Sequence, residues 1–147
     1  GALAALRRGL GENPGSMPAM YPYVVPKLPH QVKPWQEKAY YLVASLFAYH
    51  PKPGGKGNMG THFAATKATQ DENTAIERRF TSLLAAHPED LPFYLRQAIS
   101  YLSSKDIPVN WDQLFVDIKA WGHPDRYVQK RWAQAFWGKD SSKESDE

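Results

Sequence analysis

The sequence predicts an all-α protein, a compact helical bundle of six to eight helices in two small packed subdomains. Three observations lead there. Apolar residues recur at helical spacing in segment after segment, most clearly in residues 34–49 and 74–87. No alternation of apolar and polar residues persists long enough to mark a strand. The twelve prolines and ten glycines fall largely between the helical segments, where they punctuate them. An apolar fraction of 42% with 13% aromatics excludes a generally disordered chain, and 147 residues make one domain or two small ones sharing an interface.

Leu3, Leu6 and Leu10 are spaced to finish an amphipathic helix that Gly11 stops. The opening GALAALRRGLG is not signal-like and reads as the tail of a longer helix. Residues 14–34 hold six prolines, which forbid a long helix. Met20, Tyr21, Tyr23, Val24 and Val25 predict that this connector packs down as an ordered segment. The next helix runs over 34–49, with Pro34 at its first position and Trp35, Ala39, Leu42, Val43, Leu46 and Phe47 as its stripe. The glycine-rich stretch 51–60 predicts a flexible loop or hinge. It lacks the preceding strand and the closing GK[ST] of a phosphate-binding loop. Thr61 caps a short helix reaching Thr69, and the polar QDEN at 70–73 marks the division between residues 1–70 and 71–138.

Thr74 and Glu77 form a capping box, opening a helix whose core side is Ile76, Phe80, Leu83 and Leu84. Further helices start at Glu89–Asp90, with Leu91, Leu95, Ile99 and Leu102 inward, and span residues 111–121. The last opens on Pro124 and Asp125, with Val128, Trp132 and Phe136 inward. Trp111, Trp121 and Trp132 are expected in the core. Residues 139–147, acidic and serine-rich, are expected to be disordered.

Catalytic signals are weak. The five histidines make no i, i+3 or i, i+4 pair, so no helical metal site is expected, and several sit beside prolines at helix ends, where a cap or surface position is the default. Asp112 and Asp117 share no helix face with another carboxylate as an acid–base pair would. No serine carries a nucleophile-elbow pattern. There is no cysteine, hence no disulfide and no thiolate chemistry, which fits a reducing cytoplasm. No apolar run approaches the roughly 20 residues of a membrane span. The reading is a non-enzyme without metal or cofactor.

Charge is more informative. The net +3 includes −2 from the last ten residues, leaving +5 on residues 1–137. Basic residues recur on the predicted outward faces: Arg7, Arg8, Arg78, Arg79, Arg96, Lys119, Arg126, Lys130 and Arg131. Each alone is an ordinary solvated charge. Together, on helices that must pack side by side, they suit a phosphate backbone held without base readout.

The blocks ALRRGLG, MPAMYPYVVPKL, EKAYYLVASLFAYHP, AIERRFTSLL, LPFYLRQAISYL and DRYVQKRWAQAFWG resemble, in that order, the CasB family. Its members are the small subunit of Cascade, the type I-E CRISPR surveillance complex. The resemblance covers residues 5–138. It implies an all-helical protein with an N-terminal and a C-terminal domain, acting not as an enzyme but within an assembly. Two copies would lie head to tail beside other Cascade subunits, holding the guide RNA–target DNA duplex and steadying the displaced strand. By position the family's basic contacts map onto Arg7 or Arg8, Arg78, Arg79, Arg96, Lys119, Arg126, Lys130 and Arg131. Gln97 stands where some relatives carry a second arginine. The alternative is a structural spacer whose basic residues serve protein contacts only.

Overall fold

In the computed structural model, which describes residues 1–138, the regular structure is eight α-helices and two short 3-10 turns, with no strand among the described residues. The helices are α1 (Ala2–Arg7), α2 (Tyr21–Val24), α3 (Pro34–Tyr49), α4 (Met59–Ala64), α5 (Gln70–Leu84), α6 (Leu91–Ser104), α7 (Trp111–Lys119) and α8 (Tyr127–Trp137). The tail expected to be disordered, 139–147, lies outside the described residues.

α3 starts at Pro34 as expected, and the Gln36 side chain accepts the Lys33 N–H at 3.2 Å. α4 is capped differently from the expectation. Asn58 Oδ1 accepts the N–H groups of Gly60 and Thr61, while Thr61 Oγ1 accepts the Asn58 N–H, so Thr61 is the returning partner of the box and not its start. The helix stops at Ala64, short of Thr69. Thr69 instead caps α5, accepting the Glu72 N–H at 3.3 Å. The QDEN stretch is therefore the first turn of α5, and Thr74, expected as its cap, lies inside it with its hydroxyl donating to the Gln70 carbonyl. Pro124 and Asp125 likewise precede α8, whose cap residue is Arg126.

α5 packs against α6 and α8, α4 against α8, and α3 against α1, α2, α6 and α7. One large core joins them. Leu42 and Leu46, with Met59 and Phe63, meet Phe80, Leu95, Leu114, Trp132 and Phe136 in one cluster, so the core crosses the expected division at residues 70 and 71. Trp111, Trp121 and Trp132 are all buried in it. Phe80 is fully buried, its ring 5.0 Å from that of Phe63 and 4.6 Å from that of Phe136. Burying such a ring contributes about 1.5–3 kcal/mol. α4 and α8 touch at Gly60, where a Cβ would overlap the Trp132 carbonyl. Only glycine permits that approach.

A smaller cluster of Met20, Val24 and Tyr41 holds the proline-rich connector onto α3. The connector is ordered as expected, but only Met20 and Val24 of its named residues go inward; Tyr21, Tyr23 and Val25 stay exposed. Trp35, expected in the stripe of α3, is also exposed. The glycine-rich loop is not free. Val109 donates to the Lys52 carbonyl, Gly55 to the Val109 carbonyl, Trp111 Nε1 to Lys52 and Asn110 Nδ2 to Gly57. Lys52 Nζ reaches the Asp106 carboxylate at 2.7 Å. Backbone and side-chain groups far along the chain thus satisfy a backbone that would otherwise need water.

Candidate nucleic-acid interface

The nine basic residues expected to meet nucleic acid lie on five helices. Arg7 and Arg8 are exposed at the end of α1, where cations suit the unpaired carbonyls. On α5, Arg78 and Arg79 are exposed while Ile76, Phe80 and Leu83 between and around them are buried, so the helix presents the two faces its spacing predicts. Arg79 leans over Tyr101 of α6, its guanidinium carbon 5.6 Å from the ring centre. Lys119 is half-buried, with its ammonium 4.3 Å from the Phe115 ring centre. On α8, Arg131 lies 4.9 Å from the Tyr127 ring centre, and Lys130 is exposed.

Arg126 has a second task. Its guanidinium donates to the Leu84 carbonyl at 2.7 Å, fastening the end of α5 to the start of α8, and its backbone sits in the left-handed region at φ 53°. The expectation of a purely outward cation holds for its exposure but omits this bond.

None of the nine is in an ion pair among the described residues. The pairs there are Lys52 with Asp106, and a 3.9 Å approach of His123 to Asp125. Glu77 and Asp125, the acids best placed in sequence to neutralise the arginines, do not engage them. Hydrogen bonding to Lys52 holds the exposed Asp106 carboxyl below its ordinary range.

Arg96 and Lys119 are brought together. They line a groove of about 1200 Å³ between the turn after α1, the starts of α3 and α6 and the end of α7. Lys38 and the exposed Trp35 and Phe93 line it too. The Arg96 guanidinium lies against Gly11, whose φ of +79° and missing side chain let it in. Arg7 and Arg8 fall just before the groove wall, which begins at Gly9. Sequence spacing gives no sign that α3, α6 and α7 bring Lys38 to the same groove as Arg96.

Two buried polar groups were also out of reach of the sequence. Asp117 is buried, accepting from Trp132 Nε1 at 2.7 Å and Gln113 Nε2 at 2.8 Å, and burial raises its pKa. His62 is buried and accepts the Asn110 N–H at 3.0 Å, and burial lowers its pKa to about 4. His50, expected as a cap or at the surface, is the C-cap residue of α3 and is buried, its Nε2 2.7 Å from the Ile107 carbonyl oxygen. These are internal ties. No group of three or more His, Asp or Glu side chains suited to a metal gathers among the described residues. No helix there is long and apolar enough to cross a membrane.

Comparison with known proteins agrees with this picture. The family model for the CRISPR-associated protein Cse2 matches residues 2–137. A Cse2 protein of Thermus thermophilus is 34% identical over 145 residues, covering 97% of this chain and 82% of the relative. Among solved structures, CasB from Thermus thermophilus superposes with a TM-score of 0.83 at 31% identity, over 94% of this chain and 86% of that one. CasB from M. ruber does so with 0.80 at 30%, over 99% and 88%. A chain of a CRISPR RNA-guided surveillance complex gives 0.78 at 27%, over 99% and 87%. The helical order, the buried tryptophans and a family match that spans nearly every described residue lead to one conclusion: the chain belongs to the CRISPR-associated Cse2 family, the CasB family its sequence blocks resemble.

Proposed function

We propose that this chain is the non-catalytic small subunit of a type I-E CRISPR RNA-guided surveillance complex, Cascade, working in the cytoplasm beside other Cascade subunits and a second copy of itself. There it holds the phosphate backbones of guide RNA and target DNA without reading sequence, and steadies the duplex between them and the displaced strand. The likeness to a chain of such a complex supports the setting. The observation that carries the binding role is the set of nine cations, exposed or half-buried, with no carboxylate partner among the described residues. An unpaired surface cation is free to replace the counterions of a phosphate, and that exchange is the driving force of sequence-blind binding.

Fluorescence anisotropy with random single strands and duplexes of DNA and RNA tests this. Binding should be indifferent to sequence and fall steeply with salt, on a log–log slope set by the number of phosphates neutralised. A flat response between about 50 and about 200 mM salt overturns the proposal. The alternative reading is a structural spacer whose basic surface makes protein contacts only. Charge reversal separates the two. If Arg78→Glu with Arg79→Glu abolishes incorporation into the complex but leaves DNA binding by the free protein intact, the spacer reading wins.

A further inference from the structure

Trp35 and Phe93 are two of the most exposed large apolar side chains among the described residues, at 53% and 61%. Neither serves the core. Trp35 makes no ring pair among the described residues, and the one ring pair of Phe93 there is edge-on with Tyr94, 5.3 Å between centres at 87°; at 61% exposure its ring surface stays open. Both line the groove that holds Lys38, Arg96 and Lys119. Exposed rings interleaved with cations are the two components of a single-strand site. Bases stack on the rings, and the cations follow the phosphates.

The charge of the groove selects among nucleic acids. Glu12, Glu89 and Asp90 also line it, so its three cations face three carboxylates. A duplex keeps its base faces stacked inside, so what it offers such a groove is chiefly phosphate charge, and a balanced wall gains little from that. An unpaired strand offers base faces as well, and stacking does not depend on net charge. We propose that this groove seats single-stranded DNA, with bases stacked on Trp35 and Phe93 and the backbone guided by Lys38, Arg96 and Lys119. The inference rests on the function proposed above, in which the unpaired strand is DNA.

The test measures anisotropy of one labelled mixed-sequence DNA strand, the same sequence as duplex, and the matching RNA strand. The proteins are the parent, Trp35→Ala, Phe93→Ala and Trp35→Phe, with melting curves confirming equal folding. Each alanine variant should bind the DNA strand about tenfold more weakly, with duplex affinity unchanged. The salt slope should not move, because no phosphate contact is lost. Trp35→Phe should keep most of the affinity while losing much of the tryptophan quenching that the strand causes in the parent. Alanine variants that bind the strand like the parent overturn the groove but leave salt-sensitive binding elsewhere standing. Equal weakening toward duplex overturns stacking. Stronger loss toward the RNA strand than the DNA strand overturns the assignment to DNA. Intact DNA binding with failed assembly into the complex makes the groove a protein contact instead. A parent without salt-sensitive binding removes the functional reading and the groove together.

Discussion

Replacing Phe80 with alanine, beside a variant carrying Arg78→Ala and Arg79→Ala, separates the two faces of α5 in one experiment. The Phe80 ring is fully buried among the rings of Phe63, Phe136 and Trp137, the last 5.6 Å away. These partners stand on α4 and α8, and rigid rings on separate helices cannot close a void by rotating into it. The loss should therefore lie in the upper part of the about 3–5 kcal/mol range for such truncations. For a chain of this size that lowers the melting temperature by about 10–20 °C. The arginines are exposed, and removing them costs about 0.5 kcal/mol each at most, with up to about 1 kcal/mol more for the contact of Arg79 with Tyr101. Their loss should lower the melting temperature by no more than about 8 °C, weaken DNA binding, and lower the salt slope by about one per phosphate contact removed. Circular-dichroism melts and salt-titrated anisotropy read both effects. A large drop in melting temperature for the double arginine variant, with DNA affinity unchanged, would refute the reasoning and put the pair to structural use.

Three further outcomes follow from the internal geometry. Gly60→Ala should cost about 2 kcal/mol or more by denaturant unfolding, because the obstacle is the backbone of α8; Gly122→Ala, whose Cβ would meet only Pro88 at 3.6 Å, should stay within about 0.5 kcal/mol. His62 has a folded pKa of about 4 against 6.5 unfolded, so between these values the unfolded chain binds more protons. Stability should fall by roughly 3 kcal/mol as pH drops through that window and then level off, and His62→Gln should flatten the profile in thermal melts. Asp117, with its pKa raised, acts in the opposite sense from its ordinary 3.8 upward. Asp117→Ala should cost about 2–3 kcal/mol by leaving the Trp132 and Gln113 donors unpaired, whereas Asp117→Asn, which keeps an acceptor, should cost less in the same unfolding assay.

What the sequence revealed depended on whether a signal was local. α3 was legible to the residue, because Pro34 opens it and an apolar stripe fills it. The start of α5 was not, because its first turn is polar and solvent-exposed, so hydrophobic periodicity begins only at Ile76 and Thr74 looked like the cap. Trp35 misled for a related reason: it lies on the first turn of α3, at the end of the stripe, and is exposed there. The outward arginines of α5 were visible from 100° geometry alone. The groove was not, because Lys38, Arg96 and Lys119 meet only through the packing of three helices. Asp117 and the pinned glycine loop were hidden likewise, the partner of the first being Trp132 and those of the second Asp106 and residues 109–111.

The contact of Gly60 with Trp132, together with the seating of Phe80 against Phe136, bears on how this protein is made. α8 follows α4 and α5 in the chain, yet it covers α4 at Gly60 and α5 at Phe80. During translation those contacts wait for α8, while the side of α5 that packs on α6 can close earlier. A chain cut short before Trp132 therefore lacks the cover that α8 gives to α4 and α5, and exposes that apolar surface to proteases and chaperones.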